Sequence, residues 1–371
     1  MAKKKYDISV IIPTYNYSHY IESCLRSVLS QRNVNCEIIV VNDGSTDETE
    51  AIINKYNRTV GYIYQANAGV SSARNNGAFN SKGKYLLFLD ADDLIPNDYL
   101  SIKFEHLEKL EDRAISVSPT RLFTSLHCSG KPMFTGSWNL PALNLHLHLC
   151  RLNIAPPHSF LIPREAFFEI GGFAEEYHGC EDYDFWLGVL GAGFSFHSCN
   201  KKYCYYRRHQ SSKGINKNKE GAYGFDVLVH LKKYHGKYGN NVRKVIECTE
   251  GMLALADGAI RTSQFINRNV NTEGLELLNE LAENCIRNIL EKYDSMKMSY
   301  SIESRLYTRR VISTLDRTDN LSAPLINCIR DLKEINNSRR LEMQDLFKCL
   351  PLNTYEKKSL LSYLYKSFIL T

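Results

Sequence analysis

Apolar runs that end abruptly in polar residues set the rhythm of the first hundred positions. Ile8–Ile12, Glu37–Val41, Val60–Tyr64 and Tyr85–Leu89 are short and rich in β-branched or aromatic residues. Each has the length and composition of a strand buried within a sheet. Helical spacing follows the first run, where Ile21, Leu25, Val28 and Leu29 share one face behind Ser18 as the expected N-cap. After the second run, Ser45-Thr46-Asp47-Glu48 has capping-box spacing, and after the third a helix opens near Gly69-Val70-Ser71. Strand, polar loop and helix therefore alternate, which predicts βα units and a parallel sheet.

The polar ends of the runs carry the candidate chemistry. Pro13-Thr14-Tyr15-Asn16, Asn42-Asp43-Gly44, Arg74-Asn75 and Asp90-Ala91-Asp92-Asp93 are predicted to gather at the carboxyl edge of the sheet, where open α/β folds bind ligands. Three carboxylates in four residues repel unless a cation or a specific partner neutralises them. Two readings stand for them alone: a divalent ion holding a phosphate-bearing substrate, or a solvated turn before a helix at Pro96-Asn97. Tyr15 offers an aromatic face for a nucleobase, and Asp43 an acceptor for its edge.

A second constellation lies further along. Glu181-Asp182 opens an apolar helical stretch through Phe185, Trp186, Val189 and Leu190. Acids in a first turn complement the helix dipole, and they can also serve as proton acceptors. Cys199, Cys204, His197 and His209 lack the tight pairs of a structural zinc site. Pro156-Pro157-His158-Ser159 reads either as a plain turn or as an acceptor contact. Leu140–Leu152 reads as a lid, an acceptor wall or an ordinary amphipathic helix.

Val10–Asn16, Val41–Asp47, Gly69–Asn75, Leu89–Asp93, Gly171-Gly172-Phe173, Glu181–Leu187 and Tyr205–Ser211, taken in order, resemble the family 2 glycosyltransferases over about the first 210 residues. The resemblance implies a GT-A-type, Rossmann-like, mostly parallel sheet flanked by helices. It implies an inverting transfer of sugar from a nucleotide-diphosphate sugar, most often a UDP-sugar, to a hydroxyl of a glycan or lipid-linked glycan. By the same resemblance Pro13, Tyr15, Asn16, Asp43, Arg74, Asp90, Ala91 and Asp93 belong to the donor pocket, and Asp92, with Asp90 and His209, to a Mn²⁺ or Mg²⁺ site. Asp182 becomes the expected base, with Glu181 as its rival. Cell-surface polysaccharide or glycolipid synthesis is the implied setting.

The remaining composition narrows the alternatives. The 371 residues, 43% of them hydrophobic, suffice for two domains. We expect the catalytic domain over 1–212, a linker over 213–222 that is polar and glycine-bearing, and a helical domain over 223–371 for acceptor, oligomer or membrane contacts. A net charge of +5 provides no block suited to nucleic acid, although Lys3–Lys5 and Arg207-Arg208 favour anionic surfaces or phosphates. Eleven scattered cysteines and no signal-like segment fit reduced thiols in the cytoplasm, with peripheral contact at the inner face of the membrane and homo-oligomerisation as further expectations. A non-catalytic sugar-nucleotide-binding module needs no acceptor base. A nucleotidyltransferase needs phosphate-gripping glycines and a lysine near the first strand, and a dehydrogenase a GxGxxG; Pro13–Asn16 offers none of these.

Overall fold

The computed structural model describes residues 6–125, 132–138, 145–146, 149, 153–177, 179–209, 249–263, 272–294, 308–316 and 320–334. The expected linker at 213–222, the helical segment Phe225–Tyr238 and Leu360–Tyr365 lie outside the described residues. Two compact units emerge, 1–140 with 152–244, and 141–151 with 245–371.

In the first unit the elements run β1 (Tyr6–Thr14), α1 (Ser18–Leu29), β2 (Cys36–Asp43), α2 (Thr49–Asn54), β3 (Gly61–Gln65), α3 (Val70–Phe79), β4 (Gly83–Phe88) and α4 (Tyr99–Leu107). After these come β5 (Ala114–Val117), β6 (Thr120–Ser125), β7 (Pro132–Trp138), a 3₁₀ turn (Pro157–Ser159), β8 (Phe160–Pro163), α5 (Arg164–Ile170), α6 (Glu181–Gly191), β9 (Ser195–Ser198) and β10 (Cys204–Arg207). Seven strands form one sheet in the order β3-β2-β1-β4-β8-β5-β9, and β10-β6-β7 form a second of three. β3, β2, β1 and β4 are parallel, whereas β8 runs antiparallel to both β4 and β5. The expected mostly parallel α/β sheet is thus the observed one.

This order places the topological switch between β1 and β4, because the chain winds outward from β1 to β3 and then crosses back to β4. The crevice outside their carboxyl ends is where such sheets bind ligands. Buried Val10, Ile12, Val40, Leu87 and Leu89 pack with Ile21, Leu25 and Val28 of α1 in one core. On α3, Ser71, Ala73, Gly77 and Ala78 are small and buried, which lets the helix lie close to β1 and β2. A methyl group at Gly77 would stand 2.5 Å from Ile11 Cγ2. That close approach is what brings Arg74 to the sheet edge.

Two expected helix starts differ in detail. Ser18 is the first helical residue, and Tyr17 at the cap position makes no side-chain capping hydrogen bond. Asp47 ties both starts together instead: Oδ2 accepts from Ser18 N–H at 3.0 Å and Oδ1 from Thr49 N–H at 3.0 Å. A cross-loop carboxylate thus displaces the local capping box, since it serves two helices at once.

The described part of the second unit is helical: α7 (Thr249–Ser263), α8 (Thr272–Asp294) and further helical residues at 308–312 and 323–334. Leu253, Ala256 and Ile260 of α7, with Leu278, Ala282 and Ile289 of α8, are buried. Asn279 donates to Asn320 C=O at 3.1 Å and accepts from Ser322 N–H at 2.9 Å, pinning the chain to α8. Among the described residues no helix is long and apolar enough to cross a membrane.

Candidate active site

Three loops leave the carboxyl ends of β1, β2 and β4. Beyond β1, Tyr15 is 45% exposed, so its ring face is open to a ligand. Asn16 adopts a left-handed conformation at φ 57°, which asparagine tolerates better than most residues. Its Oδ1 accepts from Thr46 N–H at 2.8 Å and its own N–H donates to Ser45 Oγ at 2.9 Å, fastening this loop to the one after β2. Pro13 and Ala91 are buried, so their side chains contribute packing beneath the crevice and no exposed donor surface.

Asp43 is only 3% exposed. Its Oδ1 accepts from Gln65 Nε2 and Ala68 N–H, both at 2.8 Å, and its Oδ2 from Gly69 N–H at 2.9 Å. Such a carboxylate shapes the loop that opens α3, with little capacity left for a nucleobase edge. Turn chemistry thus occupies most of the group expected to read the base.

Arg74 also departs from expectation. Instead of facing a nucleotide pocket it is 3% exposed, with Nη2 donating to Asp90 Oδ1 at 2.7 Å and Nη1 to Glu181 Oε1 at 2.9 Å. Its guanidinium lies 5.3 Å from the centre of the Phe173 ring. Desolvation pulls its pKa down, but the charges of Asp90 and Glu181 outweigh that and hold it above the ordinary arginine value. One buried cation thereby joins the acid turn after β4 to the first turn of α6.

Within the acid turn the three aspartates have separate surroundings. Asp90 faces Arg74. Asp92 is 17% exposed and its Oδ2 lies 2.8 Å from His209 Nε2. Asp93, expected at the donor, is fully buried: Oδ1 accepts from Arg207 N–H at 2.7 Å, and Oδ2 lies 3.3 Å from His158 Nδ1. Its place is therefore behind the site, holding the turn against β10. Two backbone hydrogen bonds between Leu94 and Tyr205, at 3.1 and 2.9 Å, stitch the same junction.

His158 is likewise fully buried and does not face an acceptor. Burial lowers its pKa, yet the Cys204 and Asp93 charges carry it up to about 9. Burial, and then the charges of Asp92 and Asp90, push Asp93 well above the usual carboxylate range, with His158 opposing.

His209 sits against the Tyr20 ring at 5.1 Å and the Tyr17 ring at 6.2 Å, and Arg207 lies 4.7 Å over Tyr20. Burial and the neighbouring Asp92, Asp90 and Asp93 charges raise the Tyr17 phenol. An aromatic wall thus flanks Asp92. Among the described residues no three His, Cys, Asp or Glu side chains converge as a complete metal cage. Asp92 and His209 nevertheless present adjacent oxygen and nitrogen donors, compatible with a divalent ion that takes its other ligands from water and phosphate.

On the far side of Arg74, α6 begins after Cys180, which has a left-handed φ of 61°. Asp182 Oδ1 accepts from Tyr183 N–H at 2.8 Å and Oδ2 from Asn153 Nδ2 at 2.8 Å. Burial and the Glu181 charge raise its pKa to about 6, against the opposing charge of Arg74. That value suits a proton acceptor near neutral pH. Glu181 is instead committed to Arg74. Asn153 was not legible as a site residue, because it lies between a leucine-rich stretch and two prolines and carries no motif of its own.

Comparison with known proteins identifies the family. The model of the Glycosyl transferase family 2 matches residues 9–170. An uncharacterized glycosyltransferase of Rickettsia bellii is 28% identical over 348 residues, covering 86% of this chain and 45% of the relative. One from Rickettsia prowazekii is 37% identical over 194 residues, 48% of this chain and 57% of its own, so the chain spans about half the length of these relatives. The Escherichia coli UDP-Glc:alpha-D-GlcNAc-diphosphoundecaprenol beta-1,3-glucosyltransferase WfaP is 30% identical over 233 residues, which cover 62% of this chain and 88% of the enzyme. In fold, the chain is similar to S. aureus TarS 1-349 in complex with UDP-GlcNAc, at a TM-score of 0.57 and 18% identity over 90% of this chain and 92% of that one. The chain belongs to glycosyl transferase family 2.

Proposed function

We propose that the chain transfers a sugar, with inversion, from a UDP-sugar to a hydroxyl of a glycan or lipid-linked glycan, with a divalent ion at Asp92 and His209. The observation that carries this reading is the Asp90–Arg74–Glu181 bridge, which sets the donor-side acids beside the acidic start of α6. Tyr15 supplies a face for the uracil, and the loop held by Asp43 and Asn16 shapes its pocket. Bound there, Mn²⁺ or Mg²⁺ would offset charge building on the departing diphosphate. Asp182 takes the proton of the acceptor hydroxyl as its oxygen attacks the anomeric carbon from the opposite face. Arg74 keeps Glu181 from competing for that proton.

The relative named for a lipid-linked diphosphate acceptor and the fold neighbour holding UDP-GlcNAc support a UDP donor and an acceptor at the membrane surface. The second, helical unit is proposed to serve acceptor, partner-subunit or membrane contacts. Calorimetry of UDP, GDP and CDP with Mn²⁺ and with chelator, on wild type, Asp92→Ala and Asp182→Ala, tests the reading. Metal-dependent UDP binding lost in Asp92→Ala and kept in Asp182→Ala is the expected pattern. Absence of nucleotide binding by folded protein would overturn the donor site.

A further inference from the structure

Asp182 owes its orientation to two hydrogen bonds only one of which comes from its own helix. Oδ1 is held by Tyr183 N–H, an unavoidable neighbour, whereas Oδ2 is held at 2.8 Å by the Asn153 amide from a separate segment of the chain. The other end of that amide is conspicuous. Asn153 Oδ1 is buried and has no hydrogen-bond partner among the described residues. Buried amide oxygens are nearly always satisfied, because leaving one unmade costs its full desolvation. Reversing the amide would set an oxygen against the Asp182 carboxylate, so the carboxylate itself dictates the costly orientation.

We propose that Asn153 is a positioning residue for proton transfer, aiming Asp182 and holding it ionised until the acceptor hydroxyl delivers its proton. This rests on Asp182 being the base. An N–H donated to a carboxylate favours the charged form. The charged groups acting on Asp182 are Glu181 on its own helix, which disfavours ionisation, and Arg74 on α3, which favours it; Asn153 adds a neutral donor on the Arg74 side of that balance. With Oδ2 tied by one lone pair, its second is left to receive the proton. In the step, the hydroxyl O–H bond breaks toward Asp182, the new glycosidic C–O bond forms, and the C–O bond to the diphosphate breaks with its electron pair leaving on UDP. Asp182 then returns the proton to water.

The test uses the full chain with aspartate carboxyls labelled with ¹³C, the Asp182 signal being assigned by its loss in Asp182→Asn. Asn153→Ala is expected to move the Asp182 titration midpoint upward by roughly half to one unit, and Asn153→Asp to move it further through like-charge repulsion. Release of UDP from UDP-GlcNAc or UDP-glucose, whichever wild type turns over, is expected to fall about tenfold in Asn153→Ala. Mn²⁺–UDP affinity stays within about twofold, which separates positioning from a general loss of structure. An unmoved midpoint in folded Asn153→Ala overturns the inference. Should Asp182→Asn also be inactive, the base reading survives that failure. Wild-type turnover by Asp182→Asn would overturn the base and the positioning role together.

Discussion

Arg74 and Glu181 form a buried ion pair at 2.9 Å, with side chains only 3% and 8% exposed, between α3 and α6, the helix that carries the proposed base Asp182. The same guanidinium reaches Asp90 at 2.7 Å through its other terminal nitrogen. Two carboxylates that come from opposite sides of the proposed displacement are therefore fixed by one planar cation. Arginine suits this role because its fork spans two acceptors at a set angle.

Replacing that fork should cost both stability and turnover. Arg74→Met leaves two carboxylates without their cation, and removing one partner of a buried pair typically costs about 3–5 kcal/mol. We expect a loss of that size in urea unfolding, and a fall in kcat of about 100-fold from misplacement of α6 against the donor acids. Arg74→Lys should recover part of the stability and little of the rate, since one ammonium does not reproduce the fork. Near-wild-type kcat in Arg74→Lys would show that the bridge is not what aligns the halves.

Much of this site was legible in the chain, and the reasons for the rest are physical. Strand ends announce themselves, because a tight apolar run such as Leu86–Leu89, halted at Asp90, is what a buried strand reaching the sheet edge requires. The helix start at Glu181-Asp182 is equally local. What a local pattern does not contain is which way a side chain is spent. Asp43 carries the same motif whether it meets a base or caps the Ala68-Gly69 loop, and only the register of β2 on β3 decides it. Asp93 and His158 find each other through the antiparallel return of β8 beside β4, which no spacing along the chain encodes. Asn153 meets Asp182 in the same way.

Metal dependence should follow the Asp92–His209 pair. Their 2.8 Å contact places an oxygen and a nitrogen donor side by side on a wall made by Tyr17 and Tyr20. His209→Ala is expected to raise the Mn²⁺ concentration needed for half-maximal UDP release by about 10–100-fold, and Asp92→Ala to abolish metal-dependent UDP binding. Chelator should silence wild type reversibly. Activity of His209→Ala at wild-type Mn²⁺ levels would remove the histidine from the site.

The raised pKa of Asp182 makes a paired prediction for rate and stability. A base that titrates at about 6 is protonated below that pH, so kcat should fall tenfold per unit on the acid side and level off above it. The stability sign is opposite to that of an ordinary salt-bridged acid. An unfolded aspartate titrates near ~3.9, so the folded chain holds this proton more tightly and loses stability as pH rises from about 4 through 6. Asp182→Asn should therefore be inactive yet about 1 kcal/mol more stable than wild type at pH 8, with no gain at pH 4. Equal stability at both values would show that the carboxylate is not strained in the fold.

Gly77 links core packing to the site through α3. An added methyl would stand 2.5 Å from Ile11 Cγ2 and 3.1 Å from Val41 Cγ2. Ile11 is fully buried and its β-branched side chain is stiff at χ1, so the strain passes to the helix. Alanine in place of glycine gains roughly 1 kcal/mol of helix propensity, whereas overpacking a tight core costs about 1–3 kcal/mol. We expect the cost to win, with Gly77→Ala lowering Tm by several degrees. The displacement would lift Arg74, one helical turn earlier, away from Asp90, so kcat should fall by more than the loss of folded protein accounts for. A higher Tm with unchanged kcat would mean that α3 has room to spare, and that Arg74 is held by its two carboxylates alone.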